Sequence, residues 1–279
     1  NPISTKEGYL FNTGWATNSD ISTPKPDTIW NVDGNNKLTP NNPIKIYFEN
    51  DQGIRFERLI SLDKKYLFNV KQTLINKSDK SYRFYPYAII HRNNVPDDLT
   101  DFYILHEGFV TVTDTDDIKE HDYSDIFEKK YSQESSTGYL SIGDKYWMTS
   151  ILPQQGRKFR FDIDYNKKYR ASYIDLEGYE SKPNSTTEHS IQSLIGAKEI
   201  KLINEYAESL NIEKLDLIIN YGILYFIVKI LWFALDYCFT LTGNFGYAII
   251  LVTILVRILF FPLNQFSMKS MGKMKSLGP

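Results

Sequence analysis

The stretch Gly243-Asn244-Phe245-Gly246-Tyr247, continued by AIILVTILVRILFFPLNQF over 248–266, decides how the rest of the chain is read. From Phe245 to Leu263, 19 residues carry a single charge, Arg257. At about 1.5 Å of rise per residue, a helix of that length nearly matches a hydrocarbon core of about 30 Å. A helix also satisfies its own backbone hydrogen bonds, which lipid cannot do. The segment 243–266 is therefore predicted to be a transmembrane helix.

Arg257 then needs a reason. An arginine near the centre of a spanning helix costs roughly 2.5–3.5 kcal/mol on insertion scales, so it belongs against protein or a wet cavity. Gly246, Thr253, Arg257 and Asn264 follow one another at intervals of seven, four and seven residues. That spacing puts the small and polar groups on one stripe, while Ile249, Leu251, Leu255, Leu259 and Phe266 point elsewhere. The plainer reading is an arginine that snorkels to a headgroup. Asn264 and Gln265 just beyond it favour a polar groove, with Arg257, Thr253 and Asn264 as its candidate lining.

The whole chain of 279 residues is 42% hydrophobic and 24% charged, far more than one membrane helix requires. It is long enough for a globular domain with a core of its own. From Asn211 onward there are six basic residues (Lys214, Lys229, Arg257, Lys269, Lys273, Lys275) and three acidic ones (Glu213, Asp216, Asp236). The totals of 32 basic and 34 acidic then leave 26 and 31 for residues 1–210, a net charge of −5 there against +3 in the tail. That division argues against nucleic acid as a partner of the large domain. Lys269, Lys273 and Lys275 follow the helix with no acid among them, which by the positive-inside rule puts 267–279 in the cytoplasm and the large domain outside. The one cysteine, Cys238, leaves the outer domain without a disulfide, as suits a bacterial periplasmic domain held by its core alone. A start at Asn1 with no export signal, and an end at Gly278-Pro279 just past a basic run, read as a fragment of a longer protein.

Residues 1–43 are rich in Asn, Thr, Ser, Pro and Gly, with Tyr9, Phe11, Trp15 and Trp30 as scattered punctuation, and read as loop with short strands. From Pro43 to Ile195 the pattern is strand and turn. In IKIYFE at 44–49, Ile44, Ile46 and Phe48 alternate with Lys45, Tyr47 and Glu49. The same period recurs at 54–60, 66–75, 82–90, 109–113, 137–142, 145–152, 157–165, 168–176 and 187–195, with turn chemistry at Asp33-Gly34, Asp51-Gln52-Gly53 and Glu177-Gly178. Short strands in series, with no helical pattern between them, imply a mainly β sandwich with an aromatic core. The period changes at Gly196. Over 198–210, Ile200, Ile203, Tyr206, Ala207 and Leu210 fall at helical spacing, predicting an amphipathic helix that packs on the sandwich and ends at Asn211.

Residues 215–242 admit two readings. By hydropathy, 217–241 could cross the membrane a second time, with Lys229 and Asp236 inside it. On a helical wheel, Gly222, Tyr225, Lys229, Trp232, Asp236 and Thr240 share one face, opposite Leu224, Ile227, Leu231, Ala234, Leu235 and Cys238. A stripe of charges and amphipathic aromatics facing an apolar side suits a helix lying in the interface plane. A second crossing would put the outer domain and the basic tail on the same side, so the interfacial reading is preferred.

Enzyme chemistry is not visible. His91, His106, His121 and His189 stand far apart with no metal-ligand spacing, and each reads as a surface or satisfied core histidine. Asp114, Asp116 and Asp117 faintly suggest a calcium loop, but the sixth and twelfth positions are Lys119 and Asp125 rather than Gly and Glu. No phosphate-cradling glycine loop, nucleophile elbow or CxxC occurs, and no cofactor or metal is expected.

Three stretches carry a resemblance. LDLIINYGILYF at 215–226, GNFGYAIILVTILVRILFFPL at 243–263 and SMKSMGKMKSLGP at 267–279 resemble, in content and order, the bacterial YidC-type membrane protein insertases of the Oxa/YidC/Alb family. They are similar to that family's periplasmic interfacial helix, first core transmembrane helix and the start of its cytoplasmic region. Residues 1–214 resemble the large periplasmic domain of Gram-negative members, best at Lys145-Tyr146-Trp147 to Pro153 and at Gly196-Ala197-Lys198. The resemblance implies a mutarotase-like β-supersandwich closed by a C-terminal helix, in a protein of the inner membrane. It further implies an ATP-independent insertase and foldase, acting alone or with the Sec translocon on nascent membrane-protein substrates. Such a protein works through a hydrophilic groove open to cytoplasm and lipid, in which Arg257 falls on the position of the family's arginine. Ribosome contact would come through parts absent from this chain, as would the remaining walls of the groove. Two other readings stand beside it: a membrane-anchored sugar-binding or mutarotase-like domain, which needs a histidine and a carboxylate in one cleft, and a structural tether.

Overall fold

The computed structural model describes residues 5–6, 8–99, 106–219 and 225–275. They fall into two compact units that divide in sequence at 220/221. The first contains two antiparallel sheets. The smaller runs β1 (Tyr9–Thr17), β6 (Tyr82–Arg92), β13 (Tyr169–Asp175), β12 (Phe159–Tyr165), β9 (Tyr131–Ser135), with β14 (Tyr179–Ser181) also paired to β6. The larger runs β2 (Asn31–Asp33), β3 (Ile44–Glu49), β4 (Ile54–Leu62), β5 (Leu67–Asn76), β15 (Ser185–Ala197), β11 (Trp147–Ile151), β10 (Gly138–Gly143), β7 (Gly108–Thr113), β8 (Lys119–Asp122).

Alternation decides which side chains meet. Phe159, Phe161 and Ile163 of β12 turn inward with Tyr169, Ala171 and Tyr173 of β13, in a register that sets Phe161 opposite Tyr173. They meet Val70 and Ile191 of the larger sheet. Burying each such side chain fully contributes about 1.5–3 kcal/mol, which is how the unit holds without a disulfide. A second cluster of Trp15, Ile54, Phe56, Leu74 and Phe84 fills the same layer, with Trp15 and Phe56 edge-on to Phe84 at 6.4 and 6.0 Å.

β7 and β10 break the alternating pattern because both are buried along their whole length. Phe109, Leu140 and Ile142 face the space between the sheets, while Val110, Val112 and Tyr139 face the opposite way. That second face is covered by α2 (Ile200–Leu210) and a 3₁₀ turn (Leu215–Ile218), through Ile203, Tyr206, Ile212, Leu215 and Ile218. The amphipathic helix predicted over 198–210 therefore packs on the sheet as expected, and Asn211 closes it in the left-handed region at φ 50°. Tyr139, whose hydroxyl is pushed well up by burial, donates to the Lys214 carbonyl at 2.9 Å and fixes the chain after the helix. β10 begins at Gly138 because nothing larger fits: φ is +114°, and a Cβ there would lie 1.9 Å from the Val112 carbonyl oxygen.

Several expectations need correction. Residues 1–43 hold a nine-residue strand, β1, paired with β6 along its full length. Tyr9, Phe11 and Trp15 pack into the cores, so what reads as scattered aromatics is one face of a strand. β2 is a short strand of the kind expected within 1–43, while β8, β9 and β14 are further strands not predicted, all short and polar. A short helix, α1 (Tyr123–Glu128), interrupts the strand series and buries Tyr123 and Ile126. Residues 215–242 are not one continuous helix. Ile219 is extended, at ψ 109°, and Leu215 and Ile218 are buried in the sandwich unit, because their apolar side chains find a core there.

The second unit is a helical hairpin of α3 (Tyr225–Thr242) and α4 (Phe245–Lys275). Gly243, at φ +65°, ends α3, and Asn244 begins α4 by accepting the Gly246 N–H on its Oδ1 at 2.8 Å. Phe239 stacks on Phe245 at 4.1 Å beside the turn, and Cys238 and Ala248 are buried. α4 runs on past 266 despite Pro262. SMKSMGKMK at 267–275 contains one weak helix former, Gly272, and no stop signal, so the helix continues. Gly222 and Leu224, assigned to opposite faces of the earlier wheel, and Gly278-Pro279 lie outside the described residues.

Candidate functional site

Within α4, Phe245–Pro262 is a helix long and apolar enough to cross a membrane. Its 18 residues extend about 27 Å at about 1.5 Å each, close to a hydrocarbon core of about 30 Å. Phe245, Ile249, Ile250, Leu255, Ile258 and Leu259 are all more than half exposed, the inverse of a soluble helix. At about 100° per residue, Gly246, Thr253, Arg257 and Asn264 fall within roughly 40° of one another. All four are exposed, and the helix brings them together as the spacing predicts.

Their chemistry differs. Thr253 donates its hydroxyl to the Ile249 carbonyl at 2.7 Å, so it crosses an apolar region with its own hydrogen bond satisfied. Arg257 has no hydrogen bond or ion pair to a described residue. A guanidinium in that position, five N–H donors on an otherwise apolar surface, can attract a carboxylate or polar segment strongly only where water is scarce.

The histidines do not converge. His91 lies on β6 beside Arg170 of β13, while His106 precedes β7, its Nδ1 3.3 Å from Asp122. His121 of β8 packs at a tilt against Tyr131, ring centroids 4.3 Å apart, and burial, with Lys119 nearby, pushes its pKa down to about 4. His189 lies between the sheets, where burial pushes it down to about 4 as well. Asp175 is fully buried in the same layer, but both its oxygens are taken by Arg157 at 2.7 and 3.2 Å. Among the described residues no three His, Cys, Asp or Glu side chains gather as a metal site.

Sequence reasoning missed one charged cluster. Arg92, at the end of β6 and 1% exposed, donates through Nη1 to Asp144 at 2.6 Å and through Nε to the Asn94 carbonyl at 2.7 Å. Its guanidinium stacks over the Tyr9 ring at 4.5 Å, and the Tyr123 hydroxyl donates to Asp144 at 3.2 Å. The signal was available: Phe84, Ala88 and Ile90 mark the inward face of β6, and Arg92 follows in phase.

Two family models between them match nearly the whole chain, with their boundary inside α3. A family model described as the YidC periplasmic domain matches residues 1–234, and one described as 60Kd inner membrane protein matches 237–279. The whole chain is 52% identical to half the length of the membrane protein insertase YidC of Pelagibacter ubique. It is 36% identical to 47% of the protein of that name from Brucella suis, and 32% identical to 50% of that from Rickettsia typhi. The chain thus spans about half the length of the curated relatives it matches. Among solved structures, a galactose mutarotase related enzyme from Lactobacillus acidophilus aligns over 61% of this chain and 71% of its own, at 11% identity and a TM-score of 0.46.

Proposed function

Because this chain belongs to the YidC family of membrane protein insertases, we propose that it is part of a protein that inserts and folds inner-membrane proteins. Arg257, with Thr253 and Asn264, lines one wall of a hydrophilic groove whose other walls lie in the length that the relatives have and this chain does not. The observation that carries this reading is an arginine without a partner among the described residues, on a polar stripe inside an otherwise apolar span. A hydrated hollow lowers the cost of moving a substrate's polar segment into the membrane, and the guanidinium attracts acidic parts of that segment. The apolar part of the substrate then leaves sideways into lipid.

In this arrangement the sandwich faces the periplasm, 267–279 lies in the cytoplasm, and α3 rests in the interface. α3 supports that placement with a continuous exposed stripe of Phe226, Ile230, Phe233, Tyr237 and Leu241, at helical spacing. The sandwich serves as an accessory docking surface, with the Sec translocon as its partner, and ribosome contact belongs to the rest of the protein. A sugar-converting role for the sandwich has no comparable support, since the His189 ring is buried between the sheets and the Asp175 carboxylate in the same layer is held by Arg157.

The test is insertion by the full-length protein reconstituted in vesicles, with Arg257→Ala and Arg257→Glu. If the attraction is worth about 1.4 kcal/mol at the barrier, insertion of a substrate with an acidic outer tail slows about tenfold in Arg257→Ala and further in Arg257→Glu. Unchanged rates in both variants would remove Arg257 from the mechanism.

A further inference from the structure

One row of polar side chains inside the sandwich plays no part in the function proposed above. Arg58 of β4, Gln72 of β5 and His189 of β15 stand directly opposite one another across three adjacent strands. Gln72 and His189 point inward and are 1% and 3% exposed. Trp15 of β1 and Tyr173 of β13 face them from the smaller sheet, their ring centroids 6.1 and 6.4 Å from that of His189. Tyr179 of β14 encloses the side, its hydroxyl 3.3 Å from His189 Nδ1.

Five atoms of this group are sealed from bulk solvent and have no hydrogen-bond partner: Gln72 Oε1 and Nε2, His189 Nε2, Trp15 Nε1 and the Tyr173 hydroxyl. The neighbouring charges do not serve them. Arg58 donates to the Thr13 carbonyl and lies over the Trp30 ring at 4.3 Å. Asp175 is held by Arg157. Leaving five such atoms dry would cost an amount comparable with the whole stability of a domain.

The missing partner must both donate and accept, because Trp15 Nε1 and Gln72 Nε2 can only donate, Gln72 Oε1 can only accept, and His189 Nε2 and the Tyr173 hydroxyl can do either. An anion would satisfy the donors and leave Gln72 Oε1 unpaired. Gln72, His189, Tyr173 and Trp15 are all buried, which does not suit a ligand as large as a sugar or other polyol. Water meets both requirements, needs two to four polar partners and commonly occupies such sites.

We propose that ordered water lies between Gln72, His189, Trp15 and Tyr173, bridging the two sheets at an internal hydration site. The site belongs to the sandwich alone, so it stands or falls independently of any insertase activity.

A crystal structure of the chain at a resolution that shows ordered solvent tests this directly. The expected result is density about 2.7–3.2 Å from a Gln72 amide atom and from at least one of His189 Nε2, Trp15 Nε1 and the Tyr173 hydroxyl. A dry interior, or a peak with the anomalous signal of chloride, overturns the proposal. Gln72→Leu gives a second readout through the sign of its effect. A hydrated amide predicts an unfolding midpoint lowered by about 2–4 °C, since the water loses a partner. An unchanged or raised midpoint means that the amide was dry and unpaired, and sinks the proposal.

Discussion

Arg92 and Arg257 both sit in apolar sequence, the first after Ala88-Ile89-Ile90-His91 and the second between Leu255-Val256 and Ile258-Leu259, yet their surroundings differ in kind. Arg92 is fully enclosed and finds a carboxylate, a carbonyl and an aromatic face within its own unit. Arg257 is exposed on the helical unit and has no partner among the described residues. In the sandwich apolar faces meet one another, and the buried charge of Arg92 has a carboxylate beside it. The hairpin carries large apolar side chains outward and leaves Arg257 without a partner among the described residues, as the proposed completion by lipid and further protein would require. The same residue type thus marks a closed structure in one unit and an open one in the other.

The sharpest way to break that contrast is to open the closed case. Asp144→Ala leaves the Arg92 guanidinium buried without its carboxylate, and loss of one member of a buried pair costs about 3–5 kcal/mol. Chemical unfolding of the sandwich, followed by hydrogen exchange in β6 and β10, should show that loss, while exchange in α3 and α4 stays as it was. A variant with wild-type stability would mean that water already compensates Arg92, and that the sandwich is less self-contained than its contacts indicate.

What the sequence made legible follows the strength of each period. The span at 245–262 and the helix of α2 are readable because one apolar pattern dominates each of them. The long strands of the larger sheet are readable because Val70, Leu74 and their neighbours alternate cleanly with polar residues. β1 carried a signal that its composition hid: Tyr9, Phe11, Thr13 and Trp15 are every second residue, but Asn12, Thr13 and Gly14 suggest a loop. β2, β8 and β9 hold too few apolar residues to show a period at all, and they exist because a neighbouring strand offers an edge. The break at Ile219 has no local cause in the sequence, since it depends on a core that draws Leu215 and Ile218 away from the following helix. For the candidate site, spacing alone sufficed to group Gly246, Thr253, Arg257 and Asn264. What faces them was not legible, because the chemistry of a groove wall is set by the side opposite.

Acid probes the sandwich more gently. His189 is neutral in the folded unit, with burial lowering its pKa to about 4, against an ordinary value near 6.5. The unfolded chain therefore binds a proton between these two values that the folded unit refuses. Stability is full above pH about 6.5 and falls as pH drops toward about 4, with no further loss from this group below that, by on the order of 3 kcal/mol. His121, lowered to about 4 by burial, acts in the same direction. Between pH about 6.5 and about 4 wild type should lose more stability than His189→Phe, because the variant lacks the titrating group. Parallel pH profiles for the two proteins would mean that His189 is protonated in the folded sandwich, which its surroundings of Trp15, Tyr173 and Tyr179 argue against.

The smallest expected effect on stability belongs to Arg257, and its smallness is informative. Arg257→Leu removes no hydrogen bond or ion pair to a described residue, so the unfolding midpoint of the sandwich should move by no more than about 0.5 kcal/mol. The span itself should enter lipid more readily, since roughly 2.5–3.5 kcal/mol of insertion cost disappears with the charge. A structural residue behaves the other way, as Asp144 should, losing stability when its partner is removed. Hydrogen exchange on α4 in vesicles separates the two cases: unchanged or slower exchange around 250–260 means that the arginine is carried at a cost for what it does to something else. Faster exchange there would mean that Arg257 holds the helix in place, and the difference drawn between the two arginines would be lost.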